Sequence, residues 1–157
     1  MARLDHFRGF EANWEIPANE PTAQGGHWCP GPGRAFFQSI REELGTLPII
    51  AEDLGLITPE VTALRKRFAF PGMRILHFAF GGGADNVYLP HHHEPDSVVY
   101  TGTHDNDTTL GWWAGSSEHE RGHVLAYLGC DERAIEWSLI RAACASVADT
   151  AMIPLQD

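Results

Sequence analysis

Three short apolar runs in this chain end on carboxylates, and that repetition limits its folding more than any other feature. Val98-Val99-Tyr100 breaks off through Thr101 and Gly102 into His104, Asp105, Asn106 and Asp107. Ala2-Arg3-Leu4 leads directly to Asp5 and His6, and Pro48-Ile49-Ile50-Ala51 ends on Glu52 and Asp53, with Gly55 just beyond. Runs that are apolar without strict alternation belong to parallel sheets covered on both faces. In such sheets chemistry collects at the carboxyl ends of the strands, where loops vary without disturbing the packed core. Three acids placed alike predict one site. Gly102 is read here as a turn residue, able to take backbone conformations closed to other side chains.

The segments between these runs alternate with helical patterns, so the expected class is α/β with parallel β/α units. Strands are predicted near 2–5, 47–51, 73–80, 97–101 and 150–155. A helix over 34–44 follows from apolar residues at 36, 37, 40 and 44 and from Gly45 as its C-cap. Thr58-Pro59-Glu60 supplies a capping hydroxyl, a first-turn proline and an acid ahead of Val61, Leu64 and Phe68. Further helices are expected over 117–128 and 133–148. Residues 11–33, with four prolines and four glycines around Trp14 and Trp28, read as one long loop. Its two rings either stack on a sugar or pin the loop down, and the sequence weighs these evenly. Five strands cannot close an eight-stranded barrel, so the chain is either a small open sheet or part of something larger.

Composition narrows the function. The chain has 157 residues and a formal net charge of −10, from 11 Lys and Arg against 21 Asp and Glu. This argues against an electrostatic grip on nucleic acid or on an anionic membrane. No stretch reaches the ~18 apolar residues of a membrane span, and the N-terminus lacks a signal-peptide core. A cytoplasmic protein is expected. Cys29, Cys130 and Cys144 have neither metal-ligand nor redox spacing and read as structural free thiols. No metal or other cofactor is expected, and nothing in the sequence fixes an oligomeric state.

Several local motifs are weighed and set aside. His119-Glu120-Arg121-Gly122-His123 matches the HExxH zinc-protease pattern, but Gly122 weakens the helix and no extended metzincin ligand follows. His91-His92-His93 is expected to be a solvated loop run. Asp105-Asn106-Asp107 begins like a calcium loop, yet Leu110 and Ser116 stand where its Gly and Glu belong. Gly81-Gly82-Gly83 lacks the Lys and the helix start of a phosphate cradle.

Longer blocks are more specific. RLDHFRGF at 3–10, WEIPA at 14–18, GPG at 31–33, AEDLG at 51–55, ITPEV at 57–61, PGM at 71–73, NVYLPH at 86–91, VVYTGTHDNDTTLGWW at 98–113 and PLQD at 154–157 resemble blocks of one family, in its order. That family is the 4-α-glucanotransferases of the amylomaltase, or disproportionating enzyme, type, in the α-amylase-like glycoside hydrolase clan. The resemblance implies a partial (β/α)8 TIM barrel with about five parallel strands, the fourth to eighth of the family. Residues 1–157 would then form the C-terminal part of the catalytic domain, truncated at both ends. It implies α-1,4-glucan substrates, Asp5 as nucleophile, Glu52 as acid/base and Asp105 as third carboxylate. Arg3 and His104 match residues that hold the nucleophile and the sugar. His77 stands where glutamine is expected in the family, and His92-His93 replaces an Asn-aromatic pair.

These assignments suit retaining glycosyl transfer, in which a nucleophile and an acid stand roughly 5–5.5 Å apart across the scissile bond. Arg3, two residues before Asp5, faces the same way on a strand and offers it a counter-ion. Glu52 follows an apolar run, a setting that suits a carboxyl meant to carry a proton. Asp53 and Asp107 are expected to cap or hydrogen-bond nearby. Two other outcomes stay open at this point: an α-glucoside hydrolase of the same clan, and a glucan-binding barrel fragment without catalytic competence, left so by open sheet edges.

Overall fold

The computed structural model describes all 157 residues. Its strands and helices run β1 (Ala2–Leu4), β2 (Ala12–Glu15), β3 (His27–Pro30), α1 (Gly33–Leu44), β4 (Ile49–Ala51), α2 (Pro59–Arg67), β5 (Gly72–Ile75), β6 (Ser97–Tyr100), α3 (Thr109–Gly115), α4 (Glu118–Leu128), α5 (Ile135–Ala145) and β7 (Thr150–Met152). The class is α/β, with β1 parallel to β4 and β6 parallel to β7. The strands form three small sheets, β1-β4, β2-β3 and β5-β6-β7, rather than one closed barrel. The chain divides into two compact units, Met1–Gly72 and Met73–Asp157. No helix is long and apolar enough to cross a membrane.

In the first unit, α1 and α2 pack on the β1-β4 pair. The core is aromatic: Phe7, Phe37, Phe68 and Phe70 close around Ile49, Ala51, Val61 and Leu64. Phe37 sits at its centre, with ring centroids 5.4 Å from Phe7 and 5.3 Å from Phe70. Helix α1 stops where predicted, at Gly45, whose φ of 74° lies in the left-handed region. Helix α2 starts at the predicted proline, but Thr58 occupies the N-cap without the expected side-chain bond.

The second unit packs α3, α4 and α5 around Leu76, Phe80, Leu89, Val99, Ile135 and Leu139. Helix α4 opens with a capping box, in which Ser117 accepts from the Glu120 amide and Glu120 reaches back to the Ser117 amide.

Three expectations change. The strand foreseen to residue 80 ends at Ile75, and Leu76–Phe78 forms a 3₁₀ turn. Leu76, His77, Ala79 and Phe80 are all buried, a pattern of three to four that a strand of period two cannot satisfy. The last strand is likewise shorter, ending at Met152. Residues 11–33 are not one loop, since β2 and β3 pair antiparallel from Ala12↔Pro30 to Glu15↔His27. Pro17, Pro21, Gly25 and Gly26 lie in the hairpin's connection, so turn-forming residues outweighed two four-residue strands in the sequence reading.

Candidate active site

The parallel pairing of β1 with β4 sets two of the acids side by side. Its register runs Ala2↔Ile49, Arg3↔Ile50, Leu4↔Ala51, so Asp5 and Glu52 are the next residue of each strand. The ladder continues past them, because the Glu52 amide donates to the Leu4 carbonyl at 2.9 Å and the Phe7 amide donates to the Glu52 carbonyl at 3.1 Å. Both Glu52 carboxyl oxygens are held by backbone donors, His6 N–H at 2.6 Å and Leu54 N–H at 2.9 Å. The His6 donor owes its aim to a left-handed backbone, φ 47° and ψ 52°. A non-glycine residue rarely adopts that geometry, and such strain collects at functional sites. Sequence reasoning missed His6, and its only signal was its place directly after Asp5.

Arg3 meets Asp5 as predicted, Nη2 to Oδ1 at 3.4 Å. The Asp5 side chain is 75 % exposed, so the pair orients the carboxylate more than it stabilises the fold. Behind Glu52, Asp53 turns inward to a buried ion pair with Arg65 of α2, 3.3 Å from Nε, and Arg65 Nη1 donates to the Phe70 carbonyl at 2.8 Å. A Cβ on Gly72 would lie 2.3 Å from the Asp53 carboxylate, so only glycine fits there. The expected local role of Asp53 is thus a buried one.

In the second unit, β6 delivers His104 and Asp105, whose Nε2 and Oδ1 are 3.2 Å apart. Asn106 Oδ1 accepts from the amide and hydroxyl of Thr103 and holds the turn. Asp107 accepts from the Thr108 amide, the neighbouring hydrogen bond expected of it, while capping of α3 falls to Thr108, whose hydroxyl accepts from the Gly111 amide. Asp157 was not singled out beforehand. It ties the end of β6 to α3, accepting from Thr101 Oγ1 and from the Thr109 amide at 2.7 Å. Thr103, His104, Asn106, Asp107, Pro154, Gln156 and Asp157 line an open groove here.

Gly102 is needed for a different reason than a turn. Its φ is not positive, but a Cβ there would stand 2.6 Å from the His77 ring. That ring stacks on Trp112 at 4.7 Å and 6°, with Nε2 3.0 Å from Thr109 Oγ1. Its Nδ1 is buried without a hydrogen-bond partner. Burial lowers the His77 pKa to about 4, against a smaller opposing pull from Asp157 and Asp107.

The motifs set aside have structural duties. Glu120 caps α4, and His123 Nδ1 sits 3.0 Å from the Phe80 carbonyl. The histidine run departs from expectation, since His93 is buried between Ser146 Oγ at 2.7 Å and the Tyr88 carbonyl at 2.9 Å. Trp14 and Trp28 are half exposed but already engaged: Trp14 Nε1 donates to the Ala23 carbonyl, Trp28 meets Trp14 edge-on, and Arg8 covers Trp28 at 4.1 Å. Their contacts favour pinning of the hairpin.

Comparison with known proteins places the chain in a family. A family model described as 4-alpha-glucanotransferase matches residues 1–157, the whole chain. The chain belongs to the 4-alpha-glucanotransferase family. The 4-alpha-glucanotransferase of a Synechocystis strain is 55% identical over 100% of the chain and 32% of its own length. That of Thermus thermophilus is 50% identical over 100% of the chain and 33% of its length. Among solved structures, the amylomaltase of Streptococcus agalactiae in complex with acarbose superposes with a TM-score of 0.90 at 35% identity, over 98% of this chain and 32% of that one. The chain thus spans about a third of the length of these 4-alpha-glucanotransferases.

Proposed function

We propose that this chain carries the catalytic acids of a 4-α-glucanotransferase that moves α-1,4-glucan segments to a glucan or glucose acceptor with retention. The observation that carries the reading is the β1-β4 register, which makes Asp5 and Glu52 neighbours at two parallel strand ends. Asp5 attacks the anomeric carbon while Glu52 gives its proton to the departing glycosidic oxygen, leaving a glycosyl ester on Asp5. An acceptor hydroxyl then gives its proton to Glu52 and attacks the same carbon, releasing Asp5. Asp105, oriented by His104, accepts hydrogen bonds from sugar hydroxyls that tighten as the oxocarbenium-like state forms. Arg3 orients Asp5. No step draws on a metal or a nucleotide cofactor.

The likeness to amylomaltase supports reading the strands β1, β4, β5, β6 and β7 as five of the eight in a (β/α)8 barrel. The three free cysteines support a cytoplasmic setting. Maltotriose incubated with the full-length protein tests the function. Glucose appearing together with maltodextrins longer than maltotriose is the expected result. Glucose and maltose alone would make the protein a hydrolase.

A further inference from the structure

The β2-β3 hairpin carries a set of donors that glucan transfer does not use. Register places Glu15 directly opposite His27 and Asn13 directly opposite Cys29. Side chains alternate along a strand, so Asn13, Glu15, His27 and Cys29 share one face while Trp14 and Trp28 share the other. Ligand atoms of Glu15, His27 and Cys29 all lie within 4.8 Å of one another. Asn13 Nδ2 donates to Glu15 Oε1 at 3.0 Å, the kind of outer bond that orients a ligating carboxylate. The ring contacts of Trp14, Trp28 and Arg8 stiffen the hairpin from its other side.

We propose that this face binds a zinc ion through Glu15, His27 and Cys29, with water in the fourth position. Bond lengths of ~2.3 Å to sulfur and ~2.0–2.2 Å to nitrogen and oxygen put tetrahedral ligand atoms roughly 3.3–3.6 Å apart. The three donors therefore need to close by up to roughly 1.5 Å, within reach of side-chain rotation on a fixed backbone. A thiolate with an imidazole and one carboxylate suits Zn2+ and its analogue Co2+, whereas Mg2+ and Ca2+ take oxygen ligands. On binding, the Cys29 thiol releases its proton to solvent and a sulfur-metal bond forms, with no change of oxidation state. The ion would staple β2 to β3 and fix the connection between them. The sequence reading passed over Cys29 because two of the ligands are two residues apart on one strand and the third comes from the partner strand, a spacing no linear motif records.

The test is titration of the full chain, reduced with a phosphine, with Co2+ under anaerobic conditions. One equivalent should bind and produce a thiolate-to-cobalt charge-transfer band in the near ultraviolet. Cys29→Ser should abolish the band, and His27→Gln and Glu15→Gln should each weaken Co2+ binding by about tenfold or more. The double variant Cys130→Ser/Cys144→Ser should leave the band intact. Zn2+ should raise the Tm of the parent chain and not that of Cys29→Ser, with circular dichroism checking that each variant is folded. No band at one equivalent, a band that survives Cys29→Ser, or equal zinc shifts in both proteins would overturn the proposal.

Discussion

At the residue scale, Asp5 and Glu52 share one strand pairing but have different surroundings. Asp5 is open to solvent beside Arg3, and Glu52 is fixed by two backbone donors. Replacing Asp5 with Ala and Glu52 with Gln should each remove turnover of natural glucans, by at least ~1000-fold. A donor with a good leaving group needs no acid at the first step, so it should partly rescue Glu52→Gln and not Asp5→Ala. Equal rescue in an activated-glycoside assay would mean the two roles are exchanged or misassigned. His77 gives a stability prediction. Folding holds it neutral with a pKa near 4, while the unfolded chain takes up a proton below about 6.5. The unfolded state therefore binds more protons between these values, and stability falls as pH drops through that window, by up to about 3 kcal/mol. Urea midpoints measured from pH 7 down to pH 4 should decline more steeply in the parent than in His77→Gln, where no imidazole titrates.

At the element scale, the strand end bearing Glu52 is locked from behind by the Asp53–Arg65 pair, which joins β4 to α2. Both side chains are buried, so removing one partner leaves a charge with little access to water. Arg65→Met should cost about 3 kcal/mol or more, measured by urea unfolding. Gly72→Ala should destabilise by the same route, since its methyl would take the space of the Asp53 carboxylate. An unchanged midpoint in both variants would mean the pair is not what holds this strand end. The hairpin shows why element boundaries were only partly legible. Helices α1, α2 and α4 announce their ends with glycine, proline and a capping box. By contrast, β2 and β3 are four residues each and are stabilised by each other, which no local pattern reveals.

At the scale of the whole molecule, three small sheets leave strand edges open, and apolar side chains stand in solvent. Leu155 is 99% exposed and Leu56 78%. Edges and patches of this kind template association. The 157-residue chain alone should therefore elute from a sizing column larger than a monomer and fail to convert maltotriose. A monomer with measurable transfer would overturn this, and would mean that these sheets need no further strands. Sequence by itself determined the α/β class, where five strands begin though not where two of them end, and the family, because apolar runs, caps and long motif blocks are local properties of the chain. It also marked Asp5, Glu52, His104 and Asp105 by their place at strand ends, and Arg3 by its spacing from Asp5 and by the family resemblance. Only the tertiary structure decided that His6 takes a left-handed backbone to reach Glu52, that Asp53 is neutralised by Arg65, that Gly102 makes room for His77, and that Glu15 meets His27 and Cys29 across a hairpin. Each of these joins residues through strand register or core packing, and separation along the chain carries no trace of either.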